Sequence, residues 1–186
     1  QRLLRTRLAT PHVSAGLAAG TSALVEGVLP VAGRARSTAS LDDLRTAELV
    51  LVLRADPTRT HPLVKNELVQ GLRRRGQRVI LAHGLSGGLE RHGTRFLALR
   101  PGTDDGLVLG LAAALLEGGL VDTAGRTGVS GLDRLAADLR AWGVDAAAGH
   151  TGVAADDLRA LAAELASAAR VVIVVATGLG IPGDEA

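Results

Sequence analysis

Unbroken apolar runs and amphipathic stretches take turns along this chain. Leu49-Val50-Leu51-Val52-Leu53 is wholly apolar and partly β-branched. That pattern predicts a strand buried on both faces of a parallel sheet. Gln77 to Ala82 (QRVILA) predicts the next strand, Phe96 to Leu99 a third, short one, and Val171 to Val175 the last. Between them the apolar spacing is helical. Pro62 opens a helix ending near Gly76, with Val64, Leu68 and Leu72 at i, i+4 and i+8 on its buried face. Pro101-Gly102-Thr103-Asp104-Asp105 starts another, which runs to about Glu117 and buries Leu107, Val108, Leu111 and Leu115. Two amphipathic helices follow: Ser130 to Trp142, with Leu132, Leu135 and Leu139, and about Ala154 to Ala169, with Leu158, Leu161 and Leu165. Upstream, Ser14 to Val28 reads as a Gly- and Ala-diluted helix stopped by Pro30. Ser40-Leu41-Asp42-Asp43 carries a serine cap with acids in the first turn, and begins a short helix to about Ala47.

Strands alternating with helices across short loops require crossovers and a parallel sheet. The expected fold is therefore α/β, a Rossmann-like parallel sheet with helices on both faces. No stretch recurs at a fixed period, so a solenoid is excluded. Ligands of such sheets sit beyond the carboxyl ends of the strands. Function is expected in the loops after Leu53, Ala82, Leu99 and Val175. The chain opens on Gln1, has no methionine, and shows no element after its last strand. Residues 1–186 are accordingly expected to be an incomplete α/β domain of a longer protein.

Composition narrows the chemistry. With 186 residues, 47% hydrophobic and 22% charged, the chain can bury a sizeable core. It has no cysteine, which excludes disulfides, zinc knuckles, cysteine-ligated iron–sulfur clusters and a cysteine nucleophile within these residues. One Phe, one Trp and no Tyr leave nothing for bases to stack on, so no nucleic-acid partner is expected. Lys and Arg total 21 against 19 acids, a formal charge of +2. The dense basic run, Arg73-Arg74-Arg75, falls at a predicted helix end, where it offsets the helix dipole. No apolar run reaches the ~20 residues a bilayer crossing needs. The expected location is cytoplasmic, either free or peripheral on the cytoplasmic side of the inner membrane, with no direct membrane insertion.

Candidate chemistry lies in the loops. Asp56-Pro57-Thr58-Arg59-Thr60-His61-Pro62 joins a strand end to a helix start, where backbone N–H groups favour anions. The alternative is structural: Asp56 and Pro57 shape a turn, and Thr60 or His61 caps the helix. Arg100-Pro101-Gly102-Thr103-Asp104 also reads two ways. Pro-Gly turns the chain, Thr103 caps and Asp104 suits the positive helix end, or the Asp104 carboxylate reads a guanine edge with Arg100 near a phosphate. Gly84-Leu85-Ser86-Gly87-Gly88 can form an anion nest but matches neither the dinucleotide fingerprint nor the P-loop. Thr177-Gly178-Leu179-Gly180 offers only a weak GxG. His12, His61, His83, His92 and His150 form no HxxxH pair, so no metal site is expected. Ser86 lacks a GxSxG context, and no self-sufficient catalytic group is evident.

The order of motifs is more specific than any one of them. SLDDLRTAELVLVLRADPTRTHPLVKNELVQGLRRRGQRVILA, then LALRPGTDDGLVLGLAAALLEGGLVD, then GVAADDLRALAAELASAARVVIVVATGLGI resembles the molybdopterin oxidoreductase superfamily. That superfamily includes formate dehydrogenases, nitrate reductases and the large peripheral subunit of bacterial NADH–quinone oxidoreductase, complex I. In its cofactor-binding members the first loop approaches the pterin dinucleotide and the RPGTD loop holds the guanine end. The resemblance carries these roles to Asp56, Pro57 and Thr58, and to Arg100, Pro101, Gly102, Thr103 and Asp104. Three departures stand out: Arg54 replaces the usual Gly, His83-Gly84-Leu85 replaces an acid–Pro–Arg, and Ala18 falls where a metal-ligating residue belongs. The leading expectation is an electron-transfer protein like that complex I subunit, with this segment a formate-dehydrogenase-like domain holding no redox centre of its own. Iron–sulfur clusters would then lie elsewhere in the full protein, and other subunits of a respiratory or dehydrogenase complex would be its partners. One alternative is an active molybdopterin enzyme carrying molybdopterin guanine dinucleotide. The other is a non-catalytic Rossmann-like module binding a nucleotide or a protein.

Overall fold

A computed structural model describes residues 2–10, 12, 21–33, 37–85, 88–121 and 130–175. The chain forms two compact units, residues 1–38 with 177–186, and residues 39–176. In the first unit the described helices are α1 (Arg2–Arg7) and α2 (Thr21–Ala32). The expected Ser14–Val28 helix falls partly outside the described residues, and its other part continues past Pro30 to Ala32 rather than stopping there. A proline removes one intrahelical bond and crowds the carbonyl four residues back. That carbonyl belongs to Glu26, which is exposed, so water can take the place of the lost donor.

The second unit is built on four parallel strands: β1 (Leu49–Leu53), β2 (Arg78–His83), β3 (Arg95–Ala98) and β4 (Val171–Val175). Their order is β3-β2-β1-β4. Leu49 aligns with Arg78 on one side and with Val171 on the other, which fixes the central strand between two neighbours of the same direction. Every β1 residue is buried, as its apolar run requires. Alternate side chains feed two cores. Leu49, Leu51, Leu53, Ile80 and Leu97 face α6 (Asp104–Glu117), α7 (Leu132–Thr151) and α8 (Ala155–Ser167). Val50, Val52, Val79 and Leu81 face the side of α3 (Leu41–Thr46) and α5 (Pro62–Gln70), where Leu44, Leu68 and Leu89 pack. The α/β parallel sheet covered on both faces is thus present. Each fully buried Leu or Val contributes about 1.5–3 kcal/mol relative to exposure.

The local capping explains the element starts. Ser40 Oγ accepts from the Asp43 N–H at 3.1 Å, and Asp43 Oδ2 accepts from the Ser40 N–H at 2.7 Å, a reciprocal capping box. α5 continues into a π-helical turn, Gly71–Arg75, which ends at Gly76 in the left-handed region. Buried Gln77 then donates from Nε2 to the carbonyls of Leu44 and Ala47, both at 2.8 Å, tying α3 to the strand that follows. Gly71 must be glycine for this, because a Cβ there would collide with Gln77 Oε1.

Four expectations change. The loop after β1 contains a one-turn helix, α4 (Pro57–Thr60). The helix expected to end at Trp142 breaks at Gly143 (φ 74°, ψ 162°) and resumes to Thr151. Leu139 before the break and Val144 and Ala147 after it are buried, while Leu135, one turn ahead of Leu139, is 48% exposed. On α6, the stripe through Leu107, Gly110, Leu111 and Ala114 faces inward, leaving Val108 50% exposed about 100° around the helix.

Candidate functional site

The loops after β1, β2 and β3 converge at the carboxyl ends of the strands. Arg54 donates its backbone N–H to Ala82 O at 3.1 Å, and Leu99 donates to His83 O at 3.1 Å. These bonds extend the sheet ladder to the edge of the site. Gly84 faces Pro101 so closely that a Cβ would stand 3.2 Å from Pro101 Cα. The second and third loops therefore rest on each other, with the first beside them. The GxG loop after Val175, residues Ser86 and Gly87 of the Gly-rich loop, and Ala18 lie outside the described residues.

The first candidate loop is occupied with its own geometry. Asp56 Oδ1 accepts the Thr58 N–H at 3.0 Å and the Thr58 hydroxyl, and Asp56 Oδ2 pairs with Arg59 Nε at 3.3 Å. Asp56 is thus the cap of α4, and Pro57, buried, is its first residue. The cap expected from Thr60 or His61 is not made. Thr60 Oγ1 donates to Asp56 O at 3.1 Å, and His61 makes no side-chain cap bond to α5. Pro62 opens α5, where its fixed φ suits the helix and its missing N–H is one that would have no intrahelical partner.

The second candidate loop is likewise turned inward. Arg100 Nη1 donates to the carbonyls of Gly149 and, at 3.3 Å, His150, while its backbone N–H donates to Thr151 O at 2.9 Å. A cation there meets the negative C-terminal end of α7. Gly102 takes the left-handed turn, φ 80°. Thr103, nearly buried, sits at the N-cap of α6 but donates its hydroxyl to Arg100 O at 2.7 Å instead of capping. Asp104 and Asp105 occupy the first turn of α6 as the dipole favours. Asp105 Oδ1 lies 3.7 Å from His150 Nε2.

An ion pair crosses between these loops. Arg54 Nε stands 3.9 Å from Asp104 Oδ2, with side chains 24% and 25% exposed. The distance makes it an ion pair and not a hydrogen bond. Arg54 has φ 51°, in the left-handed region where glycine is favoured. This is the position at which the superfamily resemblance expects Gly, and the backbone here takes a conformation that suits one. A second arginine joins the site without a motif in the sequence to announce it. Arg91 Nε donates to Gly88 O at 2.9 Å, and a Cβ on Gly88 would meet both Thr58 Oγ1 at 2.9 Å and the Arg91 guanidinium at 3.1 Å. Arg91 therefore stands beside the first loop.

A pterin–guanine dinucleotide needs free carboxylate, hydroxyl and cationic groups facing one cavity. Here Asp56, Thr58, Arg100, Thr103 and Asp104 each have a partner within the fold. As placed, they do not fit such a group. Among the described residues, no three His, Cys, Asp or Glu side chains gather closely enough to hold a metal ion. No described helix is long and apolar enough to cross a membrane.

No family model matches the chain. Similarity to individual proteins is clear. The chain is 25% identical over 180 residues to a probable oxidoreductase, YjgC, of Bacillus subtilis, covering 96% of the chain and 18% of that protein. It is 27% identical over 163 residues to the alpha subunit of the NADPH-Fe(3+) oxidoreductase of Geobacter sulfurreducens, covering 87% and 19%. A nitrate reductase of Symbiobacterium thermophilum is 24% identical over 179 residues, covering 91% and 24%. Its relatives by sequence are oxidoreductases. They support the resemblance to the molybdopterin superfamily without singling out the complex I subunit. The fold is shared with acetylene hydratase from Pelobacter acetylenicus, at a TM-score of 0.62 and 24% identity over 70% of this chain and 18% of that one. The chain spans about a fifth of the length of the relatives it matches.

Proposed function

We propose that this chain serves as a non-catalytic α/β segment of an electron-transfer oxidoreductase, of the kind formed by the large peripheral subunit of NADH–quinone oxidoreductase. In this reading the segment holds neighbouring parts of the enzyme in place, and electrons pass through iron–sulfur clusters elsewhere in the protein. Its partners are the other subunits of a respiratory or dehydrogenase complex on the cytoplasmic side of the membrane. The observation that carries the reading is the inward use of the site residues. Asp56 caps α4, Arg100 holds the end of α7, and Asp104 pairs with Arg54. Oxidoreductase relatives that include an NADPH-dependent one by name support the electron-transfer setting.

A second reading, an active molybdopterin enzyme, is favoured by one specific observation: the similarity to a nitrate reductase over 91% of the chain. The loops at Asp56–Thr58 and Arg100–Asp104 would then hold molybdopterin guanine dinucleotide after rearranging. Metal and pterin analysis of the intact purified protein decides between the two. The proposed reading expects iron without molybdenum or pterin, and co-purification with companion subunits. Stoichiometric molybdenum would overturn it.

A further inference from the structure

We infer that Arg54 is a built-in substitute for a guanine base and keeps guanine nucleotides from the Asp104 carboxylate. The inference deepens the proposed function and rests on its reading of the two loops.

Three observations carry it. The first is chemical. A carboxylate recognises guanine through two neighbouring N–H donors on the edge of the base, the ring N–H and the exocyclic amine. A guanidinium presents the same kind of planar donor pair, with a full positive charge added. Arg54 brings that group to 3.9 Å from Asp104 Oδ2, across the gap between the β1 loop and the start of α6. The second is conformational. At φ 51°, with its N–H bonded to Ala82 O at 3.1 Å, Arg54 is held where a residue with a Cβ is disfavoured. Glycine there would leave the same backbone with no side chain, and Asp104 open from that side. The third concerns the remaining groups. Arg100 is drawn onto the α7 carbonyls, and the Thr58 hydroxyl onto Asp56. Arg100 Nη1 and the Thr58 hydroxyl are therefore already engaged within the fold.

Guanosine monophosphate is the probe, titrated calorimetrically into the full chain, with adenosine monophosphate as the control because its edge lacks the paired donors. The wild-type chain is expected to show no saturable binding. Arg54→Gly is expected to bind the guanine nucleotide at least about tenfold more tightly than wild type, and to prefer it over the adenine nucleotide. Adding Asp104→Asn to Arg54→Gly should abolish the gain. Arg54→Ala, run alongside, removes the same guanidinium should the glycine variant fail to fold. Wild-type binding equal to that of the variant overturns the inference. So does a folded Arg54 variant that binds no guanine nucleotide, or a gain that survives Asp104→Asn. The metal analysis of the intact protein reads a different property, so either result can fail while the other stands.

Discussion

Arg54 and Gln77 illustrate how far single positions reach in this fold. Both motif loops were legible as candidate ligand sites because Asp, Pro, Gly and Thr at strand-to-helix junctions have recognisable chemistry. Their inward pairing was not legible, since a carboxylate reads the same in sequence whether its partner is a ligand or Arg54. Gln77 shows the converse. It looks like an ordinary polar residue before a strand, yet it is 4% exposed and donates to two carbonyls. Gly71→Ala should push that side chain from its seat and destabilise the fold by about 1–3 kcal/mol, measured by urea unfolding. A second prediction concerns His92. Burial, followed by the positive charges of Arg73, Arg91 and Lys65, lowers its pKa from the ordinary 6.5. The unfolded chain therefore takes up this proton before the folded one does. Stability should be intact above the ordinary value and fall as pH drops through it toward the lowered folded value. In His92→Gln that part of the pH dependence should be gone; an unchanged profile between wild type and variant would refute the assignment.

The elements were read more surely than their exposed faces. β1 matches its expected span to the residue, because an unbroken Leu/Val run between turn residues leaves no other register. Periodicity also found α6 but placed Val108 on its buried face, because an all-apolar helix does not disclose which of its stripes meets the sheet. Packing decides that, through glycine. A Cβ on Gly110 would lie 2.6 Å from Ala147 Cβ and 3.4 Å from Leu158 Cδ1, so α6 approaches α7 and α8 at a point where, as at Gly106, it has no side chain. Gly110→Ala sets two effects against each other. Helix propensity favours the variant by about 1 kcal/mol, while forcing the helices apart costs about 1–3 kcal/mol. The contact at 2.6 Å is with another Cβ, which cannot swing aside. Net destabilisation is therefore expected, and a rise in the melting temperature would refute it. At the other end of the second unit, Ser40→Ala removes the capping-box acceptor and should cost about 0.5–2 kcal/mol. Hydrogen bonds from Ser40 hold the Asp43 carboxyl below its ordinary value. Its contribution is present above that value and lost as pH falls through the lowered one, so the variant should also lose part of its acid sensitivity.

Charge and apolar surface are distributed unevenly over the second unit. At the amino ends of the strands, Arg78 reaches Glu48 at 2.9 Å and Glu164 at 3.6 Å, and Arg95 pairs with Glu164 and Asp157. The Ala169 N–H also donates to Glu48 Oε2 at 3.0 Å. These groups are partly exposed, so each pair is worth no more than about 1 kcal/mol, and the network serves to fix α8 against the strand starts. Elsewhere the surface carries apolar side chains that a lone domain of this size gains nothing by exposing. α6 leaves Val108 and Leu109 at 50% and 39% exposure, and edge strand β4 leaves Ile173 and Val175 at 54% and 50%. The alternation along β4 is informative: Val172 and Val174 pack on the α3 and α5 side, while on the other face Val171 packs against the α6 to α8 core and Ile173 and Val175 are half exposed. Exposed apolar helix faces and open sheet edges favour association between copies. Val108→Lys with Leu109→Lys should therefore raise the concentration at which light scattering first detects self-association. The melting temperature should change little, because neither side chain belongs to the buried stripe of α6. If the double variant instead unfolds, α6 packs by a face other than the one through Leu107 and Leu111, and the assignment of its buried side fails with it.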